Sequence, residues 1–247
     1  MHLLIILVTC FTAALLSSMS GGGTNIIVLP VLLALGLPLP LVIAVSVTNS
    51  AFWVLPAAKN YLRKRKIDWL FIFFFSALGL FGSYLAVMLI VNIQQRLFEI
   101  IFGGIILLLV GFISHKKDLG LVSREITSKT RKSLAYPFAV LLGFYETIFG
   151  AGNGIAFTAL TFYTRGFDFV NALGHYYAIA FSWTVFSAYL LIRRGFYDFN
   201  IMSVAVIGSV AGAYLGSRYA ESRGNKFVKT LFVILGGILG LKLLSGF

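Results

Sequence analysis

Long apolar runs dominate this sequence of 247 residues and constrain its fold more than any other feature. A helix needs about 20 apolar residues to cross a bilayer core, and these runs are apolar on all sides, whereas barrel strands would alternate polar and apolar residues. Hydrophobic residues make up 59% of the chain and charged residues 11%. We therefore predict an all-α polytopic membrane protein, with eight hydrophobic regions at about residues 2–35, 40–57, 69–91, 97–114, 134–164, 169–192, 201–218 and 228–246.

The formal net charge of +12 indicates anchoring in a lipid bilayer rather than binding of nucleic acid. Lysines and arginines cluster in short loops beside the hydrophobic regions, which is typical of cytoplasmic loops. Cys10 is the single cysteine and only three histidines occur, so we expect no disulfide, no metal site and no cofactor. The first 21 residues resemble a signal peptide but lack a basic start, and we expect them to remain in the mature protein.

An internal repeat organises the chain. Residues 20–86 match the second half at a constant separation of 130 positions. The matched pairs include residues that are uncommon in membrane helices: Trp53 with Trp183, Arg63 with Arg193, Asp68 with Asp198, and Gly82 with Gly212. We predict two tandem homologous halves of about four hydrophobic segments each, 1–114 and 134–247, joined by a polar cytoplasmic linker at 115–133. Duplicated halves are typical of transporters whose substrate site lies between them.

Glycines interrupt the first hydrophobic region of each half. Residues 2–35 would form about 51 Å of helix, which is too long for one crossing. The stretch SGGGTNIIVLP therefore predicts a broken or re-entrant helix with a new start near Thr24, and GAGNGIAF predicts the same in the second half. A break inside a membrane is tolerated where it faces protein or a wet cavity. Helix–helix packing by small residues is the alternative.

The start of a helix is also a favourable seat for an anion. Its first N–H groups lack partners and the positive end of its dipole lies there. Asn25 and Asn153 are candidate side-chain donors, or alternatively helix caps. Thr48 and Asn49 add polar groups within the second region. The candidate substrate-binding residues are Gly21, Gly22, Gly23, Thr24, Asn25, Thr48, Asn49, Gly150, Gly152, Asn153 and Gly154.

The glycine-rich break in SGGGTNIIVLPVLLALGLP is followed by the hydroxyl-rich helix AVSVTNSAF and by a basic loop. This arrangement, repeated after a polar linker, resembles the TauE/SafE family of membrane anion exporters. The resemblance spans nearly the whole chain and implies export of sulfite, sulfoacetate or a related organosulfur anion. It also implies that Gly21, Gly22 and Gly23 form the first glycine cluster of that family, and Gly150, Gly152 and Gly154 the second. The second cluster departs from a glycine triplet because Ala151 and Asn153 intervene.

Glu146 and His175 are ionisable residues inside apolar regions, which makes them candidates for proton coupling. A structural ion pair or a neutral hydrogen-bonded acid is an equal alternative for Glu146, and a satisfied core residue is the alternative for His175. Asp68 and Asp198 precede helices and are expected to be N-caps. Arg63 and Arg193 fit interfacial anchors, with a role in gating as the alternative.

The sequence leaves the orientation of the halves open. Parallel halves place 14 of the 20 Lys and Arg residues inside and inverted halves place 16. We expect a secondary transporter that exports a small anion across the cell membrane between the repeats, and not an enzyme. A channel or accessory subunit is the alternative, and a lipid-modifying enzyme with Glu146 and His175 as acid and base is a weaker one. The oligomeric state stays open, with a homo-oligomer among the options.

Overall fold

All regular elements in the described part of the chain are α-helices. The structure is a computed structural model that describes residues 2–21, 23–89, 100, 103–104, 107–108, 110–111, 114–115 and 121–245. Most of the predicted segment 97–114 lies outside these residues. Four helices are long and apolar enough to cross a membrane: His2–Ser20, Leu39–Leu62, Trp69–Leu89 and Phe199–Leu231. The prediction of an all-α membrane protein is therefore confirmed for the residues that the structure describes.

The first half contains four described helices. They are α1 (His2–Ser20), α2 (Thr24–Ala34), α3 (Leu39–Leu62) and α4 (Trp69–Leu89). The sequence predicts a helix start near Thr24, and α2 begins at that residue. With 11 residues, α2 is too short to cross a bilayer core. The first hydrophobic region thus consists of one long and one short helix.

From residue 121 onward the described helices are short at first and long at the end. They are α5 (Lys129–Ser133), which lies in the predicted linker, α6 (Pro137–Ile148), α7 (Asn153–Arg165), α8 (Phe169–Arg193) and α9 (Phe199–Ser245). The sequence predicts separate segments at 201–218 and 228–246, and Gly224, with φ 76° and ψ −173°, interrupts α9 between them as a kink that joins two helices. The polar residues between the two segments are helical, and glycine adopts the positive φ that separates them.

Aspartates begin three of the helices, as expected for side chains that accept hydrogen bonds from free N–H groups. Asp68 accepts from Phe71 N at 3.0 Å, and Asp198 accepts from Ile201 N at 3.0 Å. The expectation that these two residues are N-caps is confirmed. Asp168, which was not among the predicted N-caps, caps α8 in the same way by accepting from Asn171 N at 2.8 Å.

Helices from the first part of the chain pack against helices from the second. The main contacts join α1 to α9, α4 to α6, and α3 to both α8 and α9. Glycines allow two of these contacts to be close. A Cβ atom at Gly212 would clash with the carbonyl of Phe11, and one at Gly82 would clash with the carbonyl of Val140. Close backbone approach through small residues is how membrane helices commonly associate.

The two ends of the helix bundle are defined by contacts between loops. At one end, Arg65 after α3 pairs with Asp168 before α8 at 2.7 Å. At the other, Arg194 after α8 donates to the carbonyl of Val87 near the end of α4 at 2.8 Å. The α3–α4 loop and the α8–α9 loop therefore lie at opposite ends. We call the end that carries residues 63–66, with the sequence RKRK, the basic end.

Candidate functional site

The two glycine-rich breaks lie directly against each other. A Cβ atom added at Gly154 would clash with the carbonyl group of Gly21, and one added at Gly21 would lie 3.6 Å from the carbonyl carbon of Gly154. The start of α7 thus packs against the chain that leaves α1. These two glycines permit close contact between the breaks. Such packing by small residues is the predicted alternative to ligand binding.

The helix starts after the breaks require glycine. Gly23 precedes α2 with φ 127°, and Gly152 precedes α7 with φ 75°. Both angles are in the region that side chains disfavour, and neither helix start has a side-chain cap. The two N-cap positions are 129 residues apart, one fewer than the separation of 130 in the predicted repeat. Gly22 lies outside the described residues.

Glu146 is held at the second break by two donors. Its Oε2 atom accepts from Asn153 Nδ2 at 2.6 Å and from the Tyr176 hydroxyl at 2.5 Å. Glu146 is 6% exposed, and Asn153 is fully buried. Asn153 Nδ2 also donates to the carbonyl of Leu142 at 3.0 Å. The carboxyl group is therefore fixed in place, and Asn153 uses its side chain for this purpose rather than as a helix cap.

Asn25 links the first break to this carboxyl group. Its Oδ1 accepts from the buried hydroxyl of Ser46, which fixes the side chain. A Cβ atom at Gly150 would lie 3.4 Å from Asn25 Nδ2 and 3.3 Å from Glu146 Oε1. Polar groups from both breaks therefore flank Gly150. We call Asn25, Ser46, Glu146, Asn153 and Tyr176 the central polar cluster.

Tyrosine hydroxyls satisfy carbonyl groups that the broken helices leave free. Tyr61 donates to Ser18 O at 2.8 Å, and Tyr177 donates at 2.9 Å to Ser17 O, which also accepts from Gly21 N at 3.1 Å. Tyr145 donates to Ala151 O in the second break. Free carbonyls at a helix end inside a membrane need such partners. These tyrosines were not among the predicted site residues, although a phenol in an apolar helix indicates a buried hydrogen-bond donor.

Several buried side-chain polar atoms have no hydrogen-bond partner among the described residues. Both side-chain polar atoms of Asn49 are unpaired, although this residue is only 1% exposed. The other unpaired atoms include Thr48 Oγ1, Trp53 Nε1, Asn153 Oδ1 and Thr158 Oγ1. Buried polar groups are nearly always hydrogen-bonded, so these atoms are candidates for contact with a ligand or with water. Trp53 and Thr158 were not among the predicted site residues.

His175 lies at the basic end of α8, in surroundings that differ from those of Glu146. Its Nε2 accepts from Asp68 N at 3.0 Å, and its Nδ1 lies 2.9 Å from Asn171 O. Both ring nitrogens therefore have partners. No residue is shared between these hydrogen bonds and those of Glu146, so the structure does not join the two residues into one path.

Ion pairs tie two loops together at the basic end. Arg65 donates to both oxygens of Asp168, at 2.9 and 2.7 Å. Arg165, at the end of α7, pairs with Asp68 at 2.5 Å and stacks over the ring of Phe71 at 3.8 Å. The α3–α4 loop is thereby bound on both sides to the residues that flank the α7–α8 turn.

A shallow apolar groove of about 520 Å³ lies between α3 and α9. Its lining residues are Pro56, Val206, Ile207, Val210, Ala211 and Tyr214. Ile207 is 64% exposed, so the groove opens on the outside of the bundle. An apolar groove in this place suits lipid chains rather than an anion. In the described ranges, no three His, Cys, Asp or Glu residues form a group that could hold a metal ion.

Comparison of the sequence with known proteins finds relatives that are named as membrane transporters. A model of the family described as "Sulfite exporter TauE/SafE" matches residues 6–243. A "Probable membrane transporter protein" of Haemophilus influenzae is 27% identical over 94% of this chain and 91% of that protein. A similarly named protein of Sinorhizobium is 26% identical over 99% of this chain and 93% of its own length. No solved structure matches the chain.

Proposed function

The chain belongs to the sulfite exporter TauE/SafE family, and from this premise we propose that it is a multi-pass secondary transporter of the cell membrane that exports sulfite or an organosulfonate. The proposal rests on the contact between the two helix breaks. Gly21 and Gly154 are in backbone contact, and Asn25 and Glu146 of the central polar cluster flank Gly150. Irregular backbone with buried polar groups inside a membrane protein is typical of a substrate pathway.

The helix starts at Thr24 and Asn153 supply the positive partial charge that an anion needs. The first N–H groups of α2 and α7 have no side-chain cap, and the helix dipoles place their positive ends there. The Arg165 side chain is 7% exposed but is paired with Asp68 at the basic end, and no described hydrogen bond joins a lysine or arginine to the central polar cluster. Recognition in this proposal therefore depends on N–H and O–H dipoles, including Asn25 Nδ2, rather than on a cationic side chain.

We propose that the halves are tandem repeats, 1–114 and 134–247, with inverted orientation. Support comes from α3 and α8, which the repeat pairs with each other. The end of α3 meets the start of α8 through Arg65 and Asp168, and the end of α8 lies at the opposite end of the bundle at Arg194. Two matched helices that run in opposite directions are the signature of an inverted repeat.

The same contacts favour re-entrant helix pairs. The backbone contacts of Gly212 with Phe11 and of Gly82 with Val140 show that α1 runs alongside α9 and α6 alongside α4. In this proposal α1 and α2 enter and leave at the end where α9 begins, whereas α6 and α7 enter and leave at the basic end. The breaks then approach each other from opposite membrane faces, and 16 of the 20 Lys and Arg residues are cytoplasmic.

Glu146 is the proposed proton carrier. An ionised carboxylate beside a bound anion would repel it, so a protonated Glu146 and a bound anion favour each other. Asn153 and Tyr176 hold the carboxyl group beside Gly150, where such coupling needs it to be. The saturated hydrogen bonds of His175 favour a positioning role for that residue at the basic end.

Transport by purified protein in liposomes tests the proposal. Vesicles loaded with sulfite or methanesulfonate should release it when the protein is present, and a pH gradient should drive accumulation against the anion gradient. Equal leak with and without a pH gradient would instead indicate a channel. Absence of any flux of either anion, with protein that is folded and inserted, would refute the proposed substrates.

A further inference from the structure

Asn49 and Trp53 carry buried hydrogen-bond donors that no described residue accepts. Asn49 is 1% exposed and Trp53 is 3% exposed. The amide of Asn49 lacks partners for both of its polar atoms, and the indole N–H of Trp53 lacks an acceptor. Each such group lowers the stability of the ligand-free protein, because it has lost water without gaining a hydrogen bond. Two of them one turn apart on α3 require a physical reason.

Both residues lie on the side of α3 that faces the first break. Ser46, Asn49 and Trp53 have the spacing i, i+3 and i+7, which places them on one face of a helix. Ser46 bonds to Asn25 in the central polar cluster. The Trp53 ring lies 5.3 Å from that of Tyr177, whose hydroxyl donates to the end of α1. The unpaired donors thus lie along the same break that holds Asn25.

Trp183, which the repeat pairs with Trp53, shows what a structural tryptophan does in this fold. Its indole N–H donates to Ser76 O at 3.0 Å, and its ring occupies the space that Gly79 leaves by having no side chain. At the position 130 residues after Gly79 the chain has Ser209, which has a side chain and uses it to bond the backbone of α1. Trp53 therefore lacks both the glycine and the acceptor that Trp183 has.

We propose that the Asn49 amide and the Trp53 indole N–H donate to oxygen atoms of the transported anion, and that the site prefers a monoanionic sulfonate-type group to a dianion. This inference rests on the proposed function. Neutral donors can satisfy the oxygens of one negative charge. A second charge raises the cost of desolvation steeply, and the Arg165 side chain, which is 7% exposed, is already paired with Asp68 at the basic end.

Titration calorimetry on the purified full-length protein tests the assignment, with methanesulfonate as the monoanion and sulfate as the dianion. Replacement of Asn49 by Leu or of Trp53 by Phe removes a donor to a charged group, and we expect each to weaken methanesulfonate binding by about tenfold or more. Trp183→Phe is the matched control. It should lower the thermal unfolding midpoint and leave the dissociation constant unchanged, because its N–H already has a partner.

Stability separates a binding role of Asn49 from a structural one. In the ligand-free protein, Asn49→Leu replaces an unpaired buried amide with an apolar side chain of similar size. We expect the midpoint of thermal unfolding to stay the same or to rise while affinity falls. A fall in the midpoint together with unchanged affinity would show that Asn49 is structural, and the assignment would be wrong.

The outcomes distinguish this inference from the proposed function. If Asn49→Leu and Trp53→Phe bind methanesulfonate as tightly as the wild type, the two donors are misassigned while transport of the anion stands. If sulfate binds as tightly as methanesulfonate, the preference for a monoanion is wrong. If the wild type binds neither anion nor sulfite, the proposed substrate class fails and the inference fails with it.

Discussion

The α-carbon of Gly154, in the first turn of α7, lies against the peptide group of Gly21, just after α1. No side chain fits between these two backbones. Replacement of Gly154 by Ala should therefore force them apart and destabilise the protein by about 1–3 kcal/mol, as overpacking usually does. Thermal unfolding of the purified protein, together with anion flux in liposomes, measures the effect.

Gly237 is the matched control for this substitution. It lies inside the helical second part of α9, and an added Cβ atom would meet nothing within 4 Å. Gly237→Ala should leave stability unchanged or raise it slightly, because alanine favours helix more than glycine does. Equal stability of the Gly154→Ala and Gly237→Ala variants would contradict the close contact of the two breaks.

The ion pair between Arg165 and Asp68 leads to a second prediction. Asp68→Asn keeps the hydrogen bond to Phe71 N, because asparagine caps helices as well as aspartate does. It removes the negative charge beside the Arg165 side chain, which is 7% exposed. We expect a loss of about 1–3 kcal/mol, less than for a fully buried pair because the Asp68 side chain is 39% exposed.

Asp198→Asn controls for the cap alone. Asp198 accepts backbone N–H groups at the start of α9 and forms no ion pair with any residue that the structure describes. Its replacement should change stability by about 0.5 kcal/mol or less. If thermal unfolding shows equal losses for the two variants, the ion pair at the basic end contributes nothing beyond the cap.

The helical fold and its breaks could be predicted because they depend on local sequence. Long apolar runs indicate a membrane protein with helical spans. Glycines mark the helix starts at Thr24 and Asn153. The predicted N-caps Asp68 and Asp198 are likewise local. The predicted division between residues 201–218 and 228–246 falls at the kink at Gly224, although the helices extend through the polar residues on both sides of it.

The partners of the polar residues could not be predicted, because each comes from a distant part of the chain. Glu146 was identified as unusual, but the pairing with Tyr176 depends on how α6 packs against α8. Asp168 and Arg65 each looked like loop residues, and only the fold brings them to 2.7 Å. The indole N–H of Trp183 has an acceptor and that of Trp53 has none among the described residues. The predicted repeat treats the two tryptophans as equivalent, so this difference could not be predicted.

The orientation of the two halves gives a third prediction. In a Cys10→Ala background, we expect Arg194→Cys to react with a membrane-impermeant maleimide added outside intact cells. Lys64→Cys lies in the basic α3–α4 loop at the other end of the bundle and should react only after the membrane is permeabilised. Both positions are exposed. Labelling of the two cysteines from the same side would support parallel halves and contradict the inverted arrangement.

The role of Glu146 gives the last prediction. Gln has nearly the same shape and can accept hydrogen bonds from Asn153 and Tyr176, so Glu146→Gln should fold and insert. It cannot carry a proton. We expect anion exchange between equal concentrations on both sides to continue, whereas accumulation driven by a pH gradient is lost, because exchange needs no net proton movement.

Proteoliposomes measure both reactions on the same preparation, and Glu125→Gln in the exposed linker serves as the matched control. That variant removes the same charge far from the central polar cluster and should behave as the wild type does. If Glu146→Gln still concentrates methanesulfonate in response to a pH gradient, another group carries the proton. Glu146 would then be a structural acid that holds α7 against α6 through Asn153, and its replacement should alter the unfolding midpoint rather than the coupling.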